Sequence, residues 1–93
     1  MKIDLTGRTA LVTGSTRGIG RAIAGTLAES GARVAVVGRD QGRAAEVAAE
    51  IGGSAQGFGA DVGDPASVIA LVEAVDAAFG QIDILVKIGR AHV

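Results

Sequence analysis

An apolar run, Thr9-Ala10-Leu11-Val12, leads directly into Thr13-Gly14-Ser15-Thr16-Arg17-Gly18-Ile19-Gly20. That order reads as a strand, a glycine-rich turn and the start of a helix, and few folds accommodate it. Glycine permits a sharp turn and a close ligand approach because no Cβ intervenes. The first turn of the next helix carries unpaired N–H groups and the positive end of the helix dipole, and both favour a pyrophosphate. A helical pattern continues to residue 30, and a second apolar strand at residues 34–37 closes a βαβ unit. At about 30 residues, this is the length a dinucleotide-binding unit needs. A tight turn that binds nothing would use the same glycines and stays open as the alternative.

The remaining pattern repeats that alternation. Strands are expected at residues 8–13, 33–37, 55–60 and 82–86, and helices at 18–30, 41–51 and from 65 to the stop at Gly80. Ile19, Ile23 and Leu27 share one face of the first helix, with Ala22 and Ala24 small enough for close packing. Gly31 ends that helix. Asp40 suits the N-cap of the second, whose buried stripe is Ala44, Val47, Ala48 and Ile51. The third opens on the cap Asp64 and Pro65, and Val68, Leu71, Val72, Val75 and Phe79 line one side. Gly57 and Gly59 dilute the third strand. A βαβαβαβ order with short connections predicts an α/β fold with a parallel sheet and right-handed crossovers.

Ninety-three residues make one small domain or part of a larger one. A hydrophobic content of 48% suits strands covered by helices on both faces, or apolar surface that further residues would cover. The net charge of -1 provides no footprint for nucleic acid, and two phenylalanines provide no base-stacking surface. With no cysteine and one histidine, His92, neither a disulfide framework nor a metal site is indicated. No stretch approaches the length of a membrane helix, and the first residues lack a signal-peptide pattern, so a cytoplasmic location is expected.

The glycines at 14, 18 and 20 form a T-G-x-x-x-G-I-G pattern. It is not the G-x-x-x-x-G-K-[ST] phosphate loop, because Arg21 and Ala22 follow Gly20. The pattern resembles the short-chain dehydrogenase/reductase family, as do Asp61-Val62 after the third strand and Ile82-Asp83-Ile84-Leu85-Val86 in the fourth. The resemblance implies a partial doubly wound Rossmann fold, four parallel strands in the order 3-2-1-4 with helices on both faces. It implies a dinucleotide held by Gly14, Ser15, Thr16, Arg17, Gly18, Ile19 and Gly20, with Asp61 and Val62 at the adenine. Asp61 could instead pair with local backbone.

An NAD site usually ends its second strand in an acidic side chain, and a nearby arginine suits NADP. Gly38 holds that position and Arg39 follows, with Arg17 a second cation. Both offer forked donors to a phosphate, so NADP(H) is favoured over NAD(H). The alternative is that both are solvated, with Asp40 as an ion partner for either.

The family's chemistry uses a serine and a Tyr-x-x-x-Lys pair, the tyrosine acting as general acid toward the carbonyl. This chain has no tyrosine, and its lysines are Lys2 and Lys87. Residues 1–86 therefore read as a cofactor-binding half-domain, inactive alone, and 87–93 as a tail outside the family pattern. There the family continues Asn-Asn-Ala-Gly, and this chain reads Lys87-Ile88-Gly89-Arg90. A truncation or a shifted reading frame is the expectation. Lys87 and His92 read as solvated groups with no reactive partner. The fourth strand would then be a bare sheet edge that favours a homo-oligomer. The rival reading is an assembly module with no ligand; FAD or ATP binding rests on fold analogy alone.

Overall fold

The computed structural model describes residues 3–88. Its elements are β1 (Thr9–Val12), α1 (Gly18–Glu29), β2 (Arg33–Gly38), α2 (Gln41–Ile51), β3 (Gln56–Gly59), α3 (Pro65–Phe79) and β4 (Ile84–Val86). The strands form one parallel sheet in the order β3-β2-β1-β4. In register, Ala10 stands between Val34 and Ile84, and Val37 beside Phe58.

Alternation along each strand divides the core. Ala10, Val12, Val34 and Val36 pack with Ala24 of α1 and Val47 and Ala48 of α2. Leu11, Ala35, Val37 and Phe58 point to the other face and meet Leu71 and Val75 of α3. Two helices therefore cover one face and a single helix the other. Phe79 meets Phe58 edge-on at 6.3 Å and receives the Arg33 guanidinium at 5.7 Å.

The helix ends follow local chemistry. Asp40 accepts the Arg43 N–H at 3.2 Å, and Asp64 accepts the Ala66 N–H at 3.1 Å. Gly31 and Gly80 take positive φ just past α1 and α3. Ile19, Ile23 and Leu27 do share one face of α1, and Ile23 and Leu27 pack against the core, but Ile19 is 74% exposed, Ala22 is exposed and the fully buried residues are Gly20 and Ala24. The smallest residues face the sheet because α1 rests closely on the turn beneath it. Val72, expected on the packed side of α3, is also largely exposed.

β3 forms despite its glycines, and the reason is tertiary. A Cβ at Gly57 would strike the backbone of Ala44 and Ala45 in α2. Gln41 then clamps the outer edge of the strand: its Nε2 donates to the Gly57 carbonyl at 3.0 Å, and its Oε1 accepts the Gly59 N–H at 2.7 Å. The glycines mark where helix backbone meets strand backbone. A side chain satisfies the edge, as exposed edges require.

β4 is shorter than expected, beginning at Ile84 instead of residue 82. The Asp83 carboxylate, not a strand carbonyl, takes the Thr9 N–H at 2.9 Å. Asp83 Oδ2 also accepts Gln81 Nε2 at 2.9 Å, and Arg8 stands 3.8 Å from Oδ1. The Thr9 N–H above all, against the opposing effect of burial, holds this carboxyl below the usual aspartate range, with Gln81 and Arg8 adding to it. The unfolded chain then binds more protons, so the contribution is complete above the ordinary carboxylate value and is lost as pH falls through the native one. Asp83→Asn is expected to lower the urea midpoint at about pH 7, and the gap from wild type should narrow at about pH 3. A gap of equal size at both would show that Asp83 adds nothing through its charge.

Candidate functional site

The glycine turn joins the carboxyl end of β1 to α1. Gly14 and Gly18 take φ of +59° and +62°, a region costly for other residues. Gly20 is required for a different reason: a Cβ there would fall on the Gly14 carbonyl and lie 3.1 Å from Ser15 Cα. Arg17 caps α1 in an extended conformation without a side-chain hydrogen bond, and the first turn has no acidic residue. The N–H groups at the start of α1 thus lack a side-chain cap.

Ser15, expected among the contact residues, is fully buried. Its hydroxyl donates to the Val12 carbonyl at 2.6 Å and accepts the Val37 N–H at 2.8 Å. Its own N–H donates to the Val37 carbonyl at 3.0 Å. Every polar group Ser15 could offer a ligand except its carbonyl is thereby used to tie the turn to β2. Thr16 bends over the end of β2, where a Cβ on Gly38 would come within 2.5 Å of Thr16 Cγ2. Gly38 therefore has a packing reason, besides leaving the acidic position empty.

Two adjoining clefts open here. One, of about 410 Å³, lies between the turn and the start of α2, lined by Thr16, Arg17, Arg39, Asp40 and Arg43 beside Gly14 and Gly38. The other, of about 300 Å³, extends from the same Arg17 and Arg39 to Val37, Ala60, Val62 and Ile88. The structure so sets Gly14, Arg17, Gly38 and Arg39 on both clefts, Thr16 on the first and Val62 on the second, while Gly18 and Gly20 line neither. Ile19 stands at the start of α1 with its side chain outside these linings, on an outer groove with Ile23 and Leu27.

Asp61 does not point freely into the site. Its Oδ1 lies 3.8 Å from Arg39 Nη2 and accepts the Gly63 N–H at 2.9 Å, while the Asp61 N–H donates to Ser67 Oγ at 2.9 Å. Asp61 thus serves local backbone, as the alternative reading had it, and it lines neither cleft. Asp61, not Asp40, is the ion partner of Arg39. Their side chains are 86% and 52% exposed, so the pair holds Arg39 only weakly.

Two residues at the site were not anticipated. Arg43 faces the first cleft from the first turn of α2, and the available signal was its position just after the cap Asp40. Ile88 covers Gly14: its carbonyl would lie 3.2 Å from a Cβ there, and its N–H donates to Thr13 Oγ1 at 2.9 Å. Nothing in the local pattern after β4 marks that role. Among the described residues no group of three metal-ligating side chains occurs, and no helix is long and apolar enough to cross a membrane. His92 and residues 89–93 of the expected tail lie outside the described residues.

Residues 8–89 match the short chain dehydrogenase family. The chain belongs to that family. As a short-chain dehydrogenase chain it is 51% identical over 86 residues to a D-threitol dehydrogenase of Mycolicibacterium smegmatis, covering 89% of this chain and 33% of the relative. It is 43% identical over 85 residues to the 3-oxoacyl-[acyl-carrier-protein] reductase of Escherichia coli, covering 91% and 35%. Among solved structures it superimposes on a 3-ketoacyl-(acyl-carrier-protein) reductase from Brucella melitensis complexed with NADH, with a TM-score of 0.83 and 44% identity over 88% of this chain and 34% of that one. A hydroxysteroid dehydrogenase from Escherichia coli gives a TM-score of 0.88 at 35% identity, over 92% of this chain and 37% of that one. The chain therefore spans about a third of the length of these relatives. Residues 87–89, which the fading of the motif assigns to a tail, lie inside the matched span.

Proposed function

We propose that this chain is the dinucleotide-binding part of an oxidoreductase of the short-chain dehydrogenase type, with NADP(H) favoured over NAD(H). The observation that carries the reading is one cleft lined by Arg17, which precedes the uncapped start of α1, and by Arg39, with glycine in place of an acid at the end of β2. In this reading, N–H groups at the start of α1 hold the pyrophosphate and Gly14, Gly18 and Gly20 let it approach. Thr16, Arg17 and Arg39 surround the 2′-phosphate, and Asp61 and Val62 border the adenine. Ser15 positions the turn. A bound nicotinamide supplies the hydride chemistry. The residues that would deliver a proton are not among these, since the sequence has no tyrosine, and so the chain is inactive alone.

The test is calorimetric titration of the chain with NADPH and NADH. Wild type is expected to favour NADPH, and Arg39→Asp to weaken NADPH by about tenfold while leaving NADH nearly unchanged. An unaltered ratio in that variant would remove Arg39 from the site. A second reading, a ligand-free assembly module, has one observation in its favour. Among the described residues β4 is an edge of the sheet, with Leu85 66% exposed on a groove it shares with the exposed Val72 of α3. Binding of neither nucleotide, together with sedimentation as a dimer, would put that reading in place of the first.

A further inference from the structure

Arg43 lines the cleft together with Arg17 and Arg39, so three arginines border it with one acidic residue, Asp40. That carboxylate is already engaged, because Asp40 Oδ1 accepts the Arg43 backbone N–H at 3.2 Å. The Arg43 side chain leans away on Glu46, Nη1 to Oε2 at 3.4 Å, with the two side chains 49% and 69% exposed. An exposed pair at this spacing restrains an arginine only slightly. Arg39 is held in a similar way by Asp61 at 3.8 Å. Two of the three cations thus rest on carboxylates outside the cleft and can turn into it without losing much.

Position separates Arg43 from the rest of the site. It borders the cleft beside the start of α2 and is absent from the lining of the adjoining one, where Val37, Ala60, Val62 and Ile88 offer an apolar wall. A flat apolar base suits that second space. The first suits a compact anion with several acceptors. A phosphate monoester carries between one and two negative charges and three terminal oxygens, enough for more than one forked donor.

Resting on the cofactor reading above, we propose that Arg43 is a specificity-determining residue: a third ligand of the ribose 2′-phosphate, with Glu46 as the internal competitor that holds it when the cleft is empty. The experiment titrates adenosine 2′,5′-bisphosphate and adenosine 5′-phosphate into the full chain, its Arg43→Gln variant and its Glu46→Gln variant. Arg43→Gln is expected to weaken the bisphosphate by about five- to tenfold and to leave the 5′-phosphate unchanged. Glu46→Gln is expected to tighten the bisphosphate by about twofold, because it frees Arg43. Equal weakening of both compounds by Arg43→Gln, or no weakening of either, would overturn the role of Arg43 while leaving the NADP reading intact. Should Arg43→Gln fail to fold, an unchanged bisphosphate affinity in Glu46→Gln would overturn it. A wild-type chain that does not distinguish the two compounds would overturn both.

Discussion

Gly20→Ala is expected to destabilise the fold by about 3 kcal/mol and to abolish nucleotide binding, while Gly25→Ala, in the same helix, should stabilise it by about 0.5–1 kcal/mol. The two glycines share helical backbone and differ in what surrounds them. A Cβ on Gly20 would fall on the carbonyl of Gly14 and stand 2.9 Å from its carbon, and backbone has no rotamer by which to withdraw. A Cβ on Gly25 would meet nothing within 4 Å beyond the backbone of its own helix. There alanine only removes conformational freedom from the unfolded chain. To admit the extra methyl at residue 20, α1 must lift off the turn, carrying the uncapped N–H groups away from where an anion would sit. Urea midpoints of the two variants measure the contrast. Similar midpoints would show that the closeness of α1 to the turn is not what requires glycine at 20.

Ser15→Ala should cost about 2 kcal/mol, with faster hydrogen exchange concentrated at the Val37 amide. The hydroxyl is fully buried and is the partner of the Val37 N–H at 2.8 Å. Alanine fills nearly the same volume, so packing changes little, yet it leaves a buried donor unpaired. The Val12 carbonyl loses its 2.6 Å donor at the same time. Because this hydroxyl joins the ends of β1 and β2, nucleotide affinity should fall through a loosened turn and not through a lost contact. Exchange at Val37 no faster than at Val34 would refute the assignment of Ser15 as the tie.

Features with local causes were readable from the chain alone. Asp40 and Asp64 cap their helices because a short carboxylate reaches an N–H two or three residues on, whatever lies further away. Gly31 and Gly80 stop helices for an equally local reason, the left-handed backbone. The βαβαβαβ order with short connections carried the parallel sheet and its right-handed crossovers, while the strand order 3-2-1-4 came from the family resemblance.

Where the local rule failed, a distant segment intervened. Ile19 suits a buried stripe by its periodicity, but the turn beneath α1 leaves no room for a Cβ at residue 20, and the fully buried residues of the helix are Gly20 and Ala24. β3 looks weak until α2 is placed against it, after which Gly57 becomes a point of contact and Gln41 a partner for the strand edge. β4 begins at Ile84, and just before it Asp83 meets Thr9, 74 positions away in sequence, with its carboxylate accepting the Thr9 N–H and its own N–H donating to the Thr9 carbonyl.

The candidate site divides along the same line. Residues 9–20 alone dictate a strand, a glycine turn and a helix start with unpaired N–H groups, because that follows from backbone geometry over a dozen residues. Arg17 and Arg39 were legible beside the turn, and Arg43 was not. The docked fold was needed to show that Ser15 faces inward, that Asp61 and not Asp40 pairs with Arg39, that Arg43 joins the cleft and that Ile88 lies over Gly14. Each of those depends on where a side chain ends once two strands and two helices have docked. Side-chain partners are selected by distance in space, and spacing along the chain reports that distance only within a single element.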